Sequence, residues 1–238
     1  MMAPEPGPHA TPTQAEERGA ALALLPIAAT LDFYALPDSF REQTLVQFAP
    51  QLVAYLAFGL WATHNQAMAA RVGLRFCGLR AGIRWGVLTG LLLGCFNTLI
   101  ILRVVPHLGY DITFLKATPH AQLPVLLMIP WFICGIALFV EINFRGFILG
   151  RLLVWGRQLL GPKLSPLVGT IAVGISAITF AFDPFMVNTF QHLHWIALWD
   201  GLIWGIIWLK TKSLYATIVA HAVEVMLMYC ALRATLMP

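Results

Sequence analysis

Long apolar runs recur along almost the whole chain, at about residues 20–36, 45–63, 85–106, 123–143, 144–159, 165–187, 195–210 and 213–236. Most approach or exceed the ~20 residues that an α-helix needs to cross the ~30 Å hydrocarbon core of a bilayer. The expected fold is therefore all-α, a polytopic transmembrane bundle of about seven or eight helices. Composition agrees: 59% of the 238 residues are hydrophobic and only 11% are charged, against roughly a quarter charged in soluble domains. The first run is the weakest, interrupted by Pro26 and Asp32, and reads as an interfacial or partly inserted helix. Residues 1–19, rich in Pro, Ala, Thr and Glu and without a basic n-region, read as a disordered tail ahead of one membrane domain, 20–238.

The polar intervals give a topology. Arg71, Arg75, Arg80 and Arg84 crowd one loop, Arg151, Arg157 and Lys163 surround the Gly161-Pro162 turn, and Lys210 and Lys212 occupy the turn before the last run. Segments 107–122 and 188–194 carry little positive charge. The positive-inside rule places residues 64–84, residues 157–163 and the Lys210–Lys212 turn in the cytoplasm, with a bacterial inner membrane as the expected location. The Lys+Arg excess of four is too small and scattered for nucleic-acid binding. Cys77, Cys95, Cys134 and Cys230 are far apart, without CxxC spacing; the last three fall in apolar runs and read as small core residues.

Ionisable groups inside such runs are expensive, which makes them candidates for function. Glu141 and Arg145 stand one helical turn apart in Phe139-Val140-Glu141-Ile142-Asn143-Phe144-Arg145-Gly146. The plain reading is that they neutralise each other on one helix face. The functional reading gains from Gly146, which lets another element approach closely. Asp183, His192, His194, Asp200, His221 and Glu224 complete the set, with His221 and Glu224 sharing a face of the last run. Folding the chain about Gly161 sets Glu141 level with about Ala181, near Phe180, Asp183 and Pro184. Folding about Thr211 sets His221 beside Asp200, so a structural Asp200–His221 pair stands as an alternative to a role in chemistry. A buried carboxylate with Arg and His nearby suits water activation. The same residue types bind zinc, yet neither HExxH nor CxxC is present, and no cofactor is expected.

Several segments together resemble the CAAX-protease and bacteriocin-processing family of intramembrane glutamic-type peptidases. They are Glu141 to Gly146, the Gly161-Pro162 turn, Ser176 to Phe180, Gly201 to Gly205, and Ser213 to Ala222, within about residues 125–230. The family's motifs are Glu-Glu-x-x-x-Arg, Phe-x-x-x-His, and a His followed four residues on by Asn or Asp. This chain departs from each: Val140 stands at the first Glu, Pro184 at the His after Phe180, and Val225 at the Asn after His221. A literal Phe-x-x-x-His occurs later, at Phe190 to His194.

The resemblance implies an endopeptidase acting on a membrane-anchored peptide or protein within the lipid bilayer. The expected roles are Glu141 as general base, Arg145 as its orienter, His194 and His221 at the carbonyl and the water, and Asp183, Asp200 and Glu224 in support. To take the first Glu's place, Glu141 would have to turn by about 100° around a helix of 3.6 residues per turn. The alternatives are a non-catalytic relative that binds membrane peptides, and a small proton-coupled carrier using Glu141, Asp200 and His221.

Overall fold

The computed structural model describes residues 17–237, and these form helices joined by short turns, with no strand among them. Helices α1 (Leu24–Ala35), α2 (Ala49–Thr63) and α3 (Leu79–Leu99) come first. An unbroken central helical run follows over 125–160, built from Val125–Pro130, Trp131–Ala137, Leu138–Glu141, Ile142–Leu149 and Gly150–Leu160. Then come α4 (Ser165–Ala181), α5 (Pro184–Phe190), α6 (Ile196–Thr211) and α7 (Leu214–Leu236). The two adjacent apolar runs at 123–143 and 144–159 are thus joined in one continuous helix.

Among the described residues, three helices are long and apolar enough to cross a membrane: Met68–His107, Pro162–Ala181 and Leu214–Leu236. The apolar helix Ala20–Ala35 is shorter, about 24 Å at 1.5 Å per residue, which falls short of the hydrocarbon core. Leu56, Leu92 and Leu126 point outward, 74%, 64% and 83% exposed. Water would penalise so much open apolar surface, whereas lipid does not. Cys95 and Cys230, expected in the core, lie exposed on helix surfaces that face this apolar surround. A thiol is small and apolar enough for either place. The Cys134 side chain lies outside the described ones.

The most extensive helix–helix contact joins α3 to α7. Glycines at 82, 86, 90 and 94 repeat every four residues along α3, forming a groove into which α7 sinks. A Cβ at Gly86 would stand 2.7 Å from the Ala216 carbonyl oxygen, and one at Gly90 would stand 2.6 Å from that of Ala220. Small residues at this spacing let backbones approach where lipid offers no hydrophobic drive to pack. The groove ends one turn further on at Asn97, which is fully buried.

The basic segments gather at one end of the bundle. The Leu214 amide donates to the Gly73 carbonyl at 2.9 Å, and Arg151 Nη2 donates to the Arg71 carbonyl at 3.2 Å. Lys212, in the turn outside the spans, is pushed below the usual lysine range by burial and then by Arg157. At the other end His192 stacks on Tyr110, ring centroids 5.2 Å apart, joining the two segments that carry little positive charge.

Glu17 to Gly19 belong to the folded body, although the sequence groups them with the tail; residues 1–16 lie outside the described ones. Glu17, 6% exposed, accepts from Trp61 Nε1 at 3.1 Å and Arg71 Nη1 at 3.2 Å, and its Oε1 pairs with Arg151 Nε at 2.5 Å. The Arg151 guanidinium lies 4.2 Å from the Trp61 ring centroid.

Gly90→Val is expected to lower the melting temperature in detergent by roughly 2–12 °C, the equivalent of an overpacking cost of ~1–3 kcal/mol. Gly174→Ala, where a Cβ meets nothing within 4 Å, is the control and should shift it by no more than about 2 °C. Light scattering during a thermal ramp measures both.

Candidate active site

Glu141 ends a single α-turn, Leu138–Glu141, held between two π-wound stretches, Trp131–Ala137 and Ile142–Leu149. It is 0% exposed. Its Oε1 accepts from Arg145 Nη1 at 3.0 Å and from His221 Nδ1 at 3.0 Å. An ionised carboxylate only accepts, so this contact places the ring proton on Nδ1. Oε2 has no hydrogen-bond partner among the described residues. One oxygen is thereby fixed by two donors while the other stays available to a water.

Aromatic rings hold the two donors in place. The Arg145 guanidinium sits 4.6 Å from the Phe180 centroid and 4.9 Å from that of Trp204. Trp204 also stacks on His221, centroids 4.6 Å apart and planes 24° apart. Behind them Ser176 Oγ donates to the Phe144 carbonyl at 2.8 Å, tying α4 to the central run. Arg145 is fully buried, and its Nε and Nη2 have no hydrogen-bond partner among the described residues. A guanidinium held between ring faces with two idle donors can receive a carbonyl oxygen as negative charge builds on it.

A second polar group lies beside the first and contains a residue that the sequence reading passed over. Asn97 Nδ2 donates to Asp200 Oδ1 at 3.1 Å, Asp200 Oδ2 at 3.2 Å and Glu224 Oε1 at 2.7 Å. Its Oδ1 accepts from Trp199 Nε1 at 2.9 Å. Asp200 therefore turns to Asn97 and not to His221, which settles the alternative pairing left open above. The hairpin estimate missed by one turn: Trp204, four residues after Asp200, is what lies against His221. The four-residue glycine repeat of α3 is the signal that would have led to Asn97.

The other expected residues lie elsewhere. Asp183 caps α5, accepting from the Phe185 and Met186 amides, and Gln51 Nε2 donates to it at 2.9 Å. Asp-Pro at the start of a helix is a standard N-terminal signal, so its role here is a cap. His194 packs edge-on against Phe182 and its Nδ1 lies 2.6 Å from the Gln191 carbonyl; none of its described contacts reaches Glu141.

Among the described residues no group of three or more His, Cys, Asp or Glu is arranged to hold a metal ion. Catalytic zinc takes three protein ligands and a water, whereas Glu141 and His221 are two, with a guanidinium on the shared oxygen. A cavity of about 120 Å³ does not include Glu141 but begins one turn beyond His221 on α7. Val225, Met228, Tyr229 and Leu232 line it, with Lys116 and Arg233 among its polar neighbours.

The helices and the enclosed Glu–Arg–His group define an integral membrane protein with a buried polar centre. Residues 122–227 match the family model described as Type II CAAX prenyl endopeptidase Rce1-like. The match covers nearly all of the segment that resembles the CAAX-protease and bacteriocin-processing family, and bears that resemblance out. No curated protein and no solved structure matches the chain.

Arg145→Met leaves Glu141 short of its cation and should destabilise the protein by about 3–5 kcal/mol. The double variant Glu141→Gln/Arg145→Met removes both charges and should recover at least half of that loss. Thermal unfolding of the single and double variants gives the coupling; additive losses would mean that the pair is not the stabilising unit.

Proposed function

We propose that the protein is an intramembrane endopeptidase that hydrolyses a peptide bond in a membrane-associated peptide or protein. The single observation carrying this reading is Glu141, with one carboxylate oxygen fixed by Arg145 and His221 and the other free of donors among the described residues. In the proposed step Glu141 Oε2 takes a proton from a water as the water's oxygen attacks the scissile carbonyl. The idle donors of Arg145 stabilise the resulting oxyanion, and the carbon–nitrogen bond then breaks as the amine gains a proton. His221 and Trp204 keep the carboxylate and the guanidinium in register, so that little reorganisation accompanies the reaction.

The match to an endopeptidase family model supports the reaction class. The apolar cavity one turn beyond His221 supports a substrate with an apolar portion that reaches the site from within the lipid. The basic loops at one end support placing that end in the cytoplasm, by the positive-inside rule. Since Glu141 is 0% exposed, substrate entry requires the helices around it to part. Lids and loops open on time scales of about microseconds to milliseconds in other enzymes.

Val140 favours a second reading, a non-catalytic relative that binds membrane peptides, because it stands where the family's first Glu belongs. Purified protein in proteoliposomes, incubated with membrane-associated peptides in ¹⁸O-water, separates the two. Hydrolysis places ¹⁸O in the new carboxylate, and Glu141→Gln or His221→Ala should lower the rate by about 10²–10⁴-fold. Cleavage at equal rates in both variants would falsify the peptidase reading. Peptide retention without cleavage supports the second. His194→Ala belongs in the same series: a loss as deep as that of His221→Ala would bring the loop histidine back into the site.

A further inference from the structure

The buried carboxyls Asp200 and Glu224 are not used by the reaction just described. They are 5% and 1% exposed, and a single amide, Asn97 Nδ2, reaches oxygens of both. Two carboxylates cannot both remain ionised so close together away from water; in such pairs one proton is shared. The hydrogen-bond pattern has a place for that proton. Glu224 Oε2 receives no donor among the described residues, while Asp200 and Glu224 both lie within hydrogen-bond distance of the same Asn97 nitrogen. A protonated Glu224 donating to Asp200 satisfies both groups.

The pair adjoins the site. Glu224 stands one turn from His221 on α7, and Asp200 precedes Gly201, where an added Cβ would lie 3.4 Å from Arg145 Nη2. That idle, fully buried donor thus points to the wall of the site where Asp200 begins. The charged groups that act on the pair are Glu141 and Arg145 from the central run, and the titratable His221 stands one turn from Glu224 on α7. The glycine groove of α3 delivers Asn97 to this point.

We propose that Asn97 is a positioning residue that holds Asp200 and Glu224 as a carboxyl pair sharing one proton, and that this pair is the proton store for the departing amine. The inference rests on the peptidase reading for its second half only. The proton account balances. Water gives one proton to Glu141 and its oxygen to the carbonyl carbon; Glu224 gives its proton to the amine nitrogen as the carbon–nitrogen bond breaks. The proton on Glu141 then returns to the pair, and neither group gains or loses a proton over the cycle.

Two measurements test this, one independent of activity. Infrared difference spectra of the protein in lipid at neutral pH should show the carbonyl stretch of a protonated carboxylic acid. The band should vanish in Glu224→Gln and shift in Asn97→Ala. Its absence from the unsubstituted protein, or its survival in both Glu224→Gln and Asp200→Asn, overturns the shared proton. In the ¹⁸O assay, Glu224→Gln should lower kcat by about 10²-fold with little change in KM. It should also remove the fall in rate at alkaline pH that a required acid produces. A purely structural role would lower stability and leave the shape of the pH profile intact. An unchanged rate and profile in Glu224→Gln, with Glu141→Gln inactive, overturns the proton-store role. The infrared band without any hydrolysis by the unsubstituted protein supports the shared proton and overturns the peptidase reading and the store's role in it.

Discussion

The bond from Arg145 to Glu141 is the constraint around which the rest of the bundle is arranged. At 3.0 Å the attraction is worth ~5 kcal/mol with an effective dielectric constant of ~20. Removing both ions from water costs several kcal/mol each, so the pair alone falls short of breaking even. What makes it tenable is the surroundings: His221 as a second donor to the carboxylate, and the faces of Phe180 and Trp204 against the guanidinium. Each supporting group comes from a different helix. The central run, α4, α6 and α7 must therefore all be in register for the charges to be buried at all. The electrostatic requirement of one pair becomes a specification for the packing of four elements.

Much of this was legible in the sequence, because the signals involved are local. The Glu141–Arg145 spacing of four puts two ionisable groups on one face without reference to any other helix. The isolation of His221 in an apolar run marks it out in the same way. What the sequence did not yield depends on relations between distant segments. Asn97 is an uncharged residue near the end of an apolar helix, and its importance follows only from the helix that its glycine groove receives. Asp183 had an obvious local reading as the cap before Pro184, which its charge obscured. The Asp200–His221 pairing failed because depth estimated by counting back from a turn is uncertain by a full helical turn, enough to exchange Asp200 for Trp204.

Glu17 illustrates the same limit at the edge of the bundle. In a Pro- and Ala-rich segment a single glutamate carries no signal. In the fold it neutralises two arginines, one of them stacked on Trp61. Arg71 and Arg151 contribute to the basic ends from which topology is read, yet both spend part of their charge on an internal partner. The excess of positive charge at that end is smaller than the count of arginines implies.

The angle of Glu141 around its helix joins these points. The ~100° turn needed to reach the first Glu position assumes an uninterrupted α-helix. The backbone is π-wound over Trp131–Ala137, where i→i+5 bonding lengthens each turn by about one residue. One extra residue delays every following side chain by about 100°, the angular step of one residue. Measured from Pro130, Glu141 therefore projects close to where residue 140 of a regular helix would project. A π-wound segment just before a buried carboxylate is the kind of irregularity that collects at functional sites. On the proposed peptidase reading this gives Val140 a different meaning: the winding that precedes it turns the next carboxylate, Glu141, by the same angle that separates the two positions on a regular helix. In that reading, how Glu141 is held and where its proton goes both depend on α7, which carries His221 and Glu224 one turn apart.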